Sequence, residues 1–261
     1  MPGMSRSVLV TGAADGIGRA IATCFAQRGD RVGLLDYERD KLDRTVSSLR
    51  EGGGDVLALP TDVRDSGAVD AAVARAVEEH GGVDVAINNA AVYPNNPVVE
   101  MSEDEWDRVL DTNLKGAFLF ARATARQMIA QDRGGKLCFI ASGAYRSARR
   151  GAAHYCASKA GLVLLAQTMA LELAEHRINV NVVSPGFIEV GLRPGVSIPY
   201  REKIKHDIPL GRFGDPSEIA HAVEFLCGPD SAFITGTVLT VDGGSGAGRF
   251  HLPISRSADQ T

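Results

Sequence analysis

Short apolar runs alternate with longer helical stretches along almost the whole of this 261-residue chain, and few folds accept that order. Strand-like runs stand at Ser7–Thr11, Arg31–Asp36, 56–59, 83–87, 136–140, 178–183 and 237–241, rich in Val, Leu and Ile and bounded by Gly or polar residues. Helical patterns fill the gaps at about 16–28, 39–50, 68–79, 103–130 and 152–175, and another opens at Asp215. Start signals support two of them. Ser102 with Glu105 makes a capping box, and Asp215-Pro216-Ser217-Glu218 supplies an N-cap, a Pro at the first helical position and a Glu at the third. Strands joined through helices pair in parallel, and continuously apolar strands are buried on both faces. The expected architecture is a doubly wound α/β domain: a seven-stranded, mainly parallel sheet with helices on both faces.

Composition narrows what such a domain does. Hydrophobic residues at 44% and charged residues at 23% match ordinary globular proteins and do not split the chain, so one domain over residues 1–248 is expected, followed by a polar tail at 249–261. A net charge of -4 leaves no basic footprint for nucleic acid or a membrane surface, which favours a small-molecule partner. The four cysteines are scattered, with no spacing suited to zinc, and read as reduced cytoplasmic thiols; no metal is expected. Neither a leader-type apolar segment nor a later apolar stretch of about 18 residues stands out. Residues 186–214, with Pro194, Pro199 and Pro209, are too long for a plain connection and read as a substrate lid.

Thr11-Gly12-Ala13-Ala14-Asp15-Gly16-Ile17-Gly18 joins the first strand to the first helix, the setting a dinucleotide-binding loop requires. Gly12 permits the tight turn, Gly16 lets backbone approach a pyrophosphate, and Gly18 lets helix and strand pack closely. The domain is therefore of the Rossmann type. Asp36 ends the second strand 18 residues after Gly18, where a carboxylate can bond the ribose hydroxyls. It would also repel a 2′-phosphate. Asp15 stands in the loop and Tyr37 follows Asp36, so neither place offers a cation, and NAD is expected over NADP.

Tyr155 and Lys159 lie one turn apart on one face of an Ala-rich helix. By itself that is a surface pair. In a site it becomes a base: lowering a phenol by three units from about 10 needs roughly 4 kcal/mol, which a unit charge at about 4 Å supplies in an effective dielectric of about 20.

Together these residues resemble the short-chain dehydrogenase/reductase family, in its compact single-domain form, over residues 8–244. The marks are the glycine loop, Asp62-Val63, Asn88-Asn89-Ala90-Ala91, Asn113, Ser142, Tyr155-x-x-x-Lys159 and Pro185-Gly186. The resemblance implies a catalytic set of Asn113, Ser142, Tyr155 and Lys159. In it Tyr155 is the acid–base, Lys159 holds the nicotinamide ribose and supports the phenolate, Ser142 polarises the substrate oxygen, and Asn113 holds water leading to Lys159. It adds Asp62, Val63, Asn89, Pro185, Gly186 and Ile188 to a cofactor list that already contains Gly12, Asp15, Gly16, Ile17, Gly18 and Asp36. Two positions depart from the pattern: Ala90-Ala91 where a Gly is common, and Val190 where many members carry a Thr that contacts the carboxamide. A homotetramer is also implied.

The expected reaction is hydride transfer between NAD(H) and a small or medium secondary alcohol or ketone. A 3-oxoacyl-thioester reductase and a non-catalytic nucleotide-sensing scaffold are the alternatives. Arg146, Arg149 and Arg150 between Ser142 and Tyr155 raise an anionic substrate, with Arg146 and His154 as candidate contacts; Arg193, Arg201, Lys203 and Lys205 make the lid basic in places.

Overall fold

A computed structural model describes residues 5–190, 198–248 and 250–251. Seven strands, β1 (Ser7–Thr11), β2 (Arg31–Asp36), β3 (Val56–Pro60), β4 (Val85–Asn88), β5 (Gly135–Ile140), β6 (Ile178–Pro185) and β7 (Val238–Val241), form one sheet in the order β3-β2-β1-β4-β5-β6-β7. Every neighbouring pair is parallel. The connections run outward in both directions from β1 and β4, so a crevice opens between them at the carboxyl ends of the strands.

Alternation along each strand feeds two cores. Val8 and Val10 of β1 face one side, where α1 (Gly16–Gln27), α2 (Arg39–Glu51) and α8 (Pro216–Leu226) lay down Ile21, Phe25, Leu42, Ile219 and Val223. Leu9 faces the other, against α3 (Ser66–His80), α5 (Gly116–Gln131) and α6 (Ala153–Leu173) through Val69, Phe120 and Leu162. Phe25 and Phe120 are fully buried, and each such side chain contributes about 1.5–3 kcal/mol. The Rossmann-type expectation is met strand for strand.

Three local features depart from the sequence reading. The stretch expected as one long helix is α4 (Glu103–Leu110), a π-helical turn at Asp111–Lys115, then α5. Residues 198–206 of the expected lid form a helix, α7 (Ile198–His206), and Arg193 and Pro194 lie outside the described residues, as does most of the expected tail. Finally, an apolar stretch of membrane-spanning length does exist: Ala153–His176, which contains α6. Leu162, Val163, Ala166, Ala170 and Leu173 bury it against the sheet, so its hydropathy serves the core.

Candidate active site

The glycine loop is built by crowding. Gly12 and Gly16 have φ of 63° and 54°, the left-handed region that costs a side chain energy. At Gly18 a Cβ would stand 2.1 Å from the carbonyl oxygen of Gly12 and 2.5 Å from Nδ2 of Asn89. Only glycine lets α1 start this close to β1. Asn89 then locks the loop, its Nδ2 donating to the carbonyls of Thr11 and Gly12 at 3.0 Å each. Thr11 Oγ1 accepts from the backbone N–H groups of Asn89 and Ala90. Thr11, the first residue of the loop motif, is thus part of the cradle through its side chain.

Asp36 joins the loop from the next strand. Its Oδ2 accepts from Ala14 N at 3.1 Å and its Oδ1 from Glu38 N at 3.0 Å, which leaves carboxylate lone pairs facing the cavity it lines. Asp15 takes the Gly16 N–H at 2.7 Å as the N-cap of α1. Asp62 carries an unforeseen partner: Arg64 grips both its oxygens and holds its pKa below the usual carboxylate range. Val63 is buried beneath Gly116, where a Cβ would meet its side chain at 2.8 Å. Pro185 and Gly186 cross the top of β6, and Gly186 lies against Asp242, whose Cα would be 2.7 Å from any Cβ placed there. The Ile188 segment is pinned to Gly214 by Glu189 N to Gly214 O at 2.8 Å and Gly214 N to Phe187 O at 2.9 Å.

These groups share one cavity of about 1610 Å³, which runs from Gly12 and Asp36 past Asp62 and Asn89 to Ser142, Tyr155 and Lys159. Its size exceeds the roughly 300–1,000 Å³ of a drug-sized site. It suits a dinucleotide with a small substrate beside it. The tight glycine turn at a helix N-terminus, with a carboxylate on the neighbouring strand, fits that ligand.

Tyr155 and Lys159 project from α6 into the cavity floor, and Ser142 follows β5. Lys159 is 2% exposed, and its Nζ donates to the carbonyl of Ile140 at 2.8 Å while standing 5.8 Å from the centre of the Tyr155 ring. Burial pulls its pKa down to about 8. The sequence reading assigned Lys159 the lowering of Tyr155, and the geometry differs. Burial raises the Tyr155 phenol, and the groups working against that rise are Ser142, by hydrogen bond, and the guanidinium of Arg149. The hydrogen bond of the Lys159 ammonium goes to the Ile140 carbonyl.

Asn113 is likewise employed elsewhere. Sitting fully buried in the π turn, its Oδ1 accepts from Val92 N at 2.8 Å and its Nδ2 donates to Val92 O and to Ser158 Oγ. The side chain ties the loop after β4 to α6, with both Nδ2 hydrogens used and one lone pair of Oδ1 left over. Single π turns collect at functional sites, and this one turns Asn113 inward.

The substrate candidates are rearranged more strongly. His154 is fully buried and does not line the cavity: its Nε2 meets Glu105 of α4 at 3.0 Å, and its Nδ1 accepts the Tyr155 backbone N–H at 2.7 Å. It holds the start of α6 in place. Arg146 lies 3.6 Å from Asp242, and Arg201 is paired with Glu189. Arg149 bonds the neutral Asn95 Oδ1 at 3.1 Å and sits 5.9 Å from the Tyr155 ring, on the cavity wall. Tyr93 packs on the Tyr155 ring at 5.9 Å and also lines the cavity. Sequence gave no signal for Tyr93 or Asp242, because each reaches the site from a different loop. His206, Asp207 and His251 bring ligand atoms within 4.8 Å of one another on the surface, away from the cavity lining.

A parallel sheet with a glycine-cradled crevice, opening on a buried Lys and a partly buried Tyr, defines a Rossmann-type nucleotide-dependent oxidoreductase. Residues 12–246 match the family model for enoyl-(acyl carrier protein) reductase. The 3-oxoacyl-[acyl-carrier-protein] reductase of Staphylococcus aureus is 38% identical over 243 residues, 92% of this chain and 98% of that one. Galactitol 2-dehydrogenase of Agrobacterium fabrum is 35% identical over 255 residues, covering 92% and 97%. Among solved structures, a short-chain type dehydrogenase/reductase from Mycobacterium marinum superposes with a TM-score of 0.87 at 34% identity, covering 94% and 96%. A protein from Agrobacterium tumefaciens, provisionally assigned as a gluconate dehydrogenase, gives 0.89 at 32%, covering 94% and 97%. The chain belongs to the short-chain dehydrogenase/reductase family, whose members are oxidoreductases using a nicotinamide cofactor.

Proposed function

We propose that this protein oxidises a small or medium secondary alcohol, or reduces the matching ketone, with NAD(H) as partner and Tyr155 as the general acid–base. The observation that carries the reading is the convergence of Ser142, Tyr155 and Lys159 at one end of the cavity whose other end is the glycine loop and Asp36. When bound, the nicotinamide supplies the hydride acceptor or donor. Tyr155 takes the carbinol proton, and Ser142 donates to the substrate oxygen as charge grows there. A phenol raised by burial is a reluctant base, so lowering it falls to Ser142 and Arg149. Asn113 and His154 act through position: one braces the loop after β4 against α6, the other fixes the first turn that presents Tyr155. Gly12, Asp15, Gly16, Ile17 and Gly18 shape the phosphate end, and Asp62, Val63, Asn89, Pro185, Gly186 and Ile188 line or brace the path between.

Residues 186–214 are the lid of this reading, supported by Phe187, Val190, Arg201, Ile204 and Phe213, all on the cavity wall. The assembly we propose is a homotetramer. Phe118 on α5 and Leu164 and Leu171 on α6 are 41%, 66% and 83% exposed, apolar surface that helix pairing would cover. Four free thiols fit the reducing cytoplasm.

NAD is chosen over NADP on Asp36. Asp36→Asn keeps an acceptor for the Ala14 N–H and removes the charge, so the ratio of kcat/KM for NAD to that for NADP should fall about 100-fold. An unchanged ratio sinks the assignment. The reaction itself is tested by following NADH formation over polyols, sugars, hydroxy acids, steroids and hydroxyacyl thioesters. Oxidation of a secondary carbinol supports the reading, whereas silence across the set with cofactor bound favours the scaffold alternative. The 38% identity to a 3-oxoacyl thioester reductase keeps that substrate as the second reading, marked by preference for the hydroxyacyl thioester.

A further inference from the structure

The loop between Ser142 and Tyr155 carries three arginines and α7 one, and the structure sorts them. Arg146 faces the carboxylate of Asp242, which also accepts the N–H groups of Gly244 and Gly246. Arg201 is paired with Glu189 and covers the Phe213 ring. Arg150 does not line the cavity. Arg149 differs from all three. It lines the cavity, its hydrogen bond goes to the neutral amide of Asn95, and its guanidinium carbon lies 5.9 Å from the ring of Tyr155.

Asp242 and Glu189 cancel Arg146 and Arg201, so among the described residues of the loop and lid Arg149 is the cavity-lining guanidinium beside Tyr155 that faces no carboxylate. A guanidinium presents a planar fork of donors that matches a carboxylate. Resting on the reading of Tyr155 as acid–base, we propose that the substrate is a hydroxy acid whose carboxylate is held by Arg149. Asn95, bonded to Arg149 and on the same wall, positions the guanidinium through its side-chain oxygen. The loop carrying Asn95 is itself anchored, since Asn96 N donates to Gly151 O at 2.8 Å. Arg149 therefore has a fixed seat, although its side chain reaches solvent.

The test pairs short hydroxy acids with their primary amides, which match them in size and lack the charge. With excess NAD⁺ present, calorimetry measures binding of 2-, 3- and 4-hydroxy acids and their amides to wild type, Arg149→Gln and Arg146→Gln. Wild type should bind at least one acid about 10-fold more tightly than its amide. Arg149→Gln should erase that preference and Arg146→Gln should keep it. Equal binding of acid and amide throughout the series, no binding of either, or a preference that survives Arg149→Gln overturns the proposal. NADH formation in the same samples separates the two readings. An Arg149-dependent preference without NADH leaves carboxylate recognition standing and removes the dehydrogenase reading; NADH formed equally from acid and amide does the reverse. Because Arg149 also eases the phenol toward ionisation, the acid-to-amide ratio, and not the absolute rate, is the quantity to read.

Discussion

Replacing Lys159 by Met is expected to stop turnover and to raise the unfolding temperature in the same protein. The ammonium sits 2% exposed with one hydrogen bond, to Ile140 O. Its pKa falls from the ordinary 10.5 to about 8, which corresponds to roughly 3 kcal/mol of destabilisation while the group is charged. At pH 7 both folded and unfolded chains carry the proton, so the whole cost is present. Between about 8 and 10.5 the folded chain releases its proton first, the unfolded chain holds more protons, and stability climbs with pH. Above that window the cost is gone. Met fills a similar volume without the charge but forfeits the Ile140 bond, worth about 1 kcal/mol. The net gain is about 2 kcal/mol at pH 7, or about 4–8 °C in Tm, and it reverses to a deficit of about 1 kcal/mol above pH 10.5, where only the lost Ile140 bond remains. Turnover should fall by about 1,000-fold through loss of the ammonium proposed to hold the nicotinamide ribose. Thermal melts of both proteins across this pH range check it, and a lower Tm at pH 7, or a difference that ignores pH, would contradict it.

Gly18→Ala should do the opposite, damaging stability and cofactor binding together. The new Cβ meets the Gly12 backbone carbonyl at 2.1 Å and Asn89 Nδ2 at 2.5 Å, a side-chain end tied down by its two bonds to the loop. Relief means moving α1 away from β1 or breaking the Asn89 clamp, and the clamp is what shapes the loop. A loss of about 3 kcal/mol and at least a 100-fold weaker cofactor affinity are expected. Gly29→Ala is the control. Gly29 has φ of 83° but nothing within 4 Å of a Cβ, so the change costs about 1 kcal/mol and leaves the cofactor site alone. Equal effects of the two substitutions on cofactor affinity would mean that crowding at Gly18 does not shape the loop.

The sheet was legible because its signal is local. Each strand is a short apolar run beside its own turn, and right-handed crossovers leave few ways to order seven of them. The glycine loop was legible for the same reason, since strand, glycines and helix are contiguous. What escaped depended on contacts distant in sequence. His154 and Glu105 are 49 residues apart, and nothing around His154 says that α4 will fold over it. Arg146 and Arg149 share a loop and a chemistry, and only the position of Asp242, about a hundred residues on, separates them. The π turn at Asp111–Lys115 has the composition of ordinary helix. Lys159 and Tyr155 share a helix face, as their spacing requires, but the spacing says nothing of the Ile140 carbonyl that captures the ammonium.

The central claim is that Tyr155 moves the proton while its surroundings hold cofactor and substrate, and Tyr155→Phe tests it with one lost oxygen. The phenol is largely enclosed, with Tyr93 packed on its ring, so Phe fits the same space. The measurement is NADH formation in a single turnover, on a carbinol the wild type oxidises, with NAD⁺ affinity determined on the same samples. The account predicts NAD⁺ affinity within about 2-fold of wild type and hydride transfer slower by about 1,000-fold or more. Hydride transfer within about 10-fold of wild type, with cofactor bound, would contradict it.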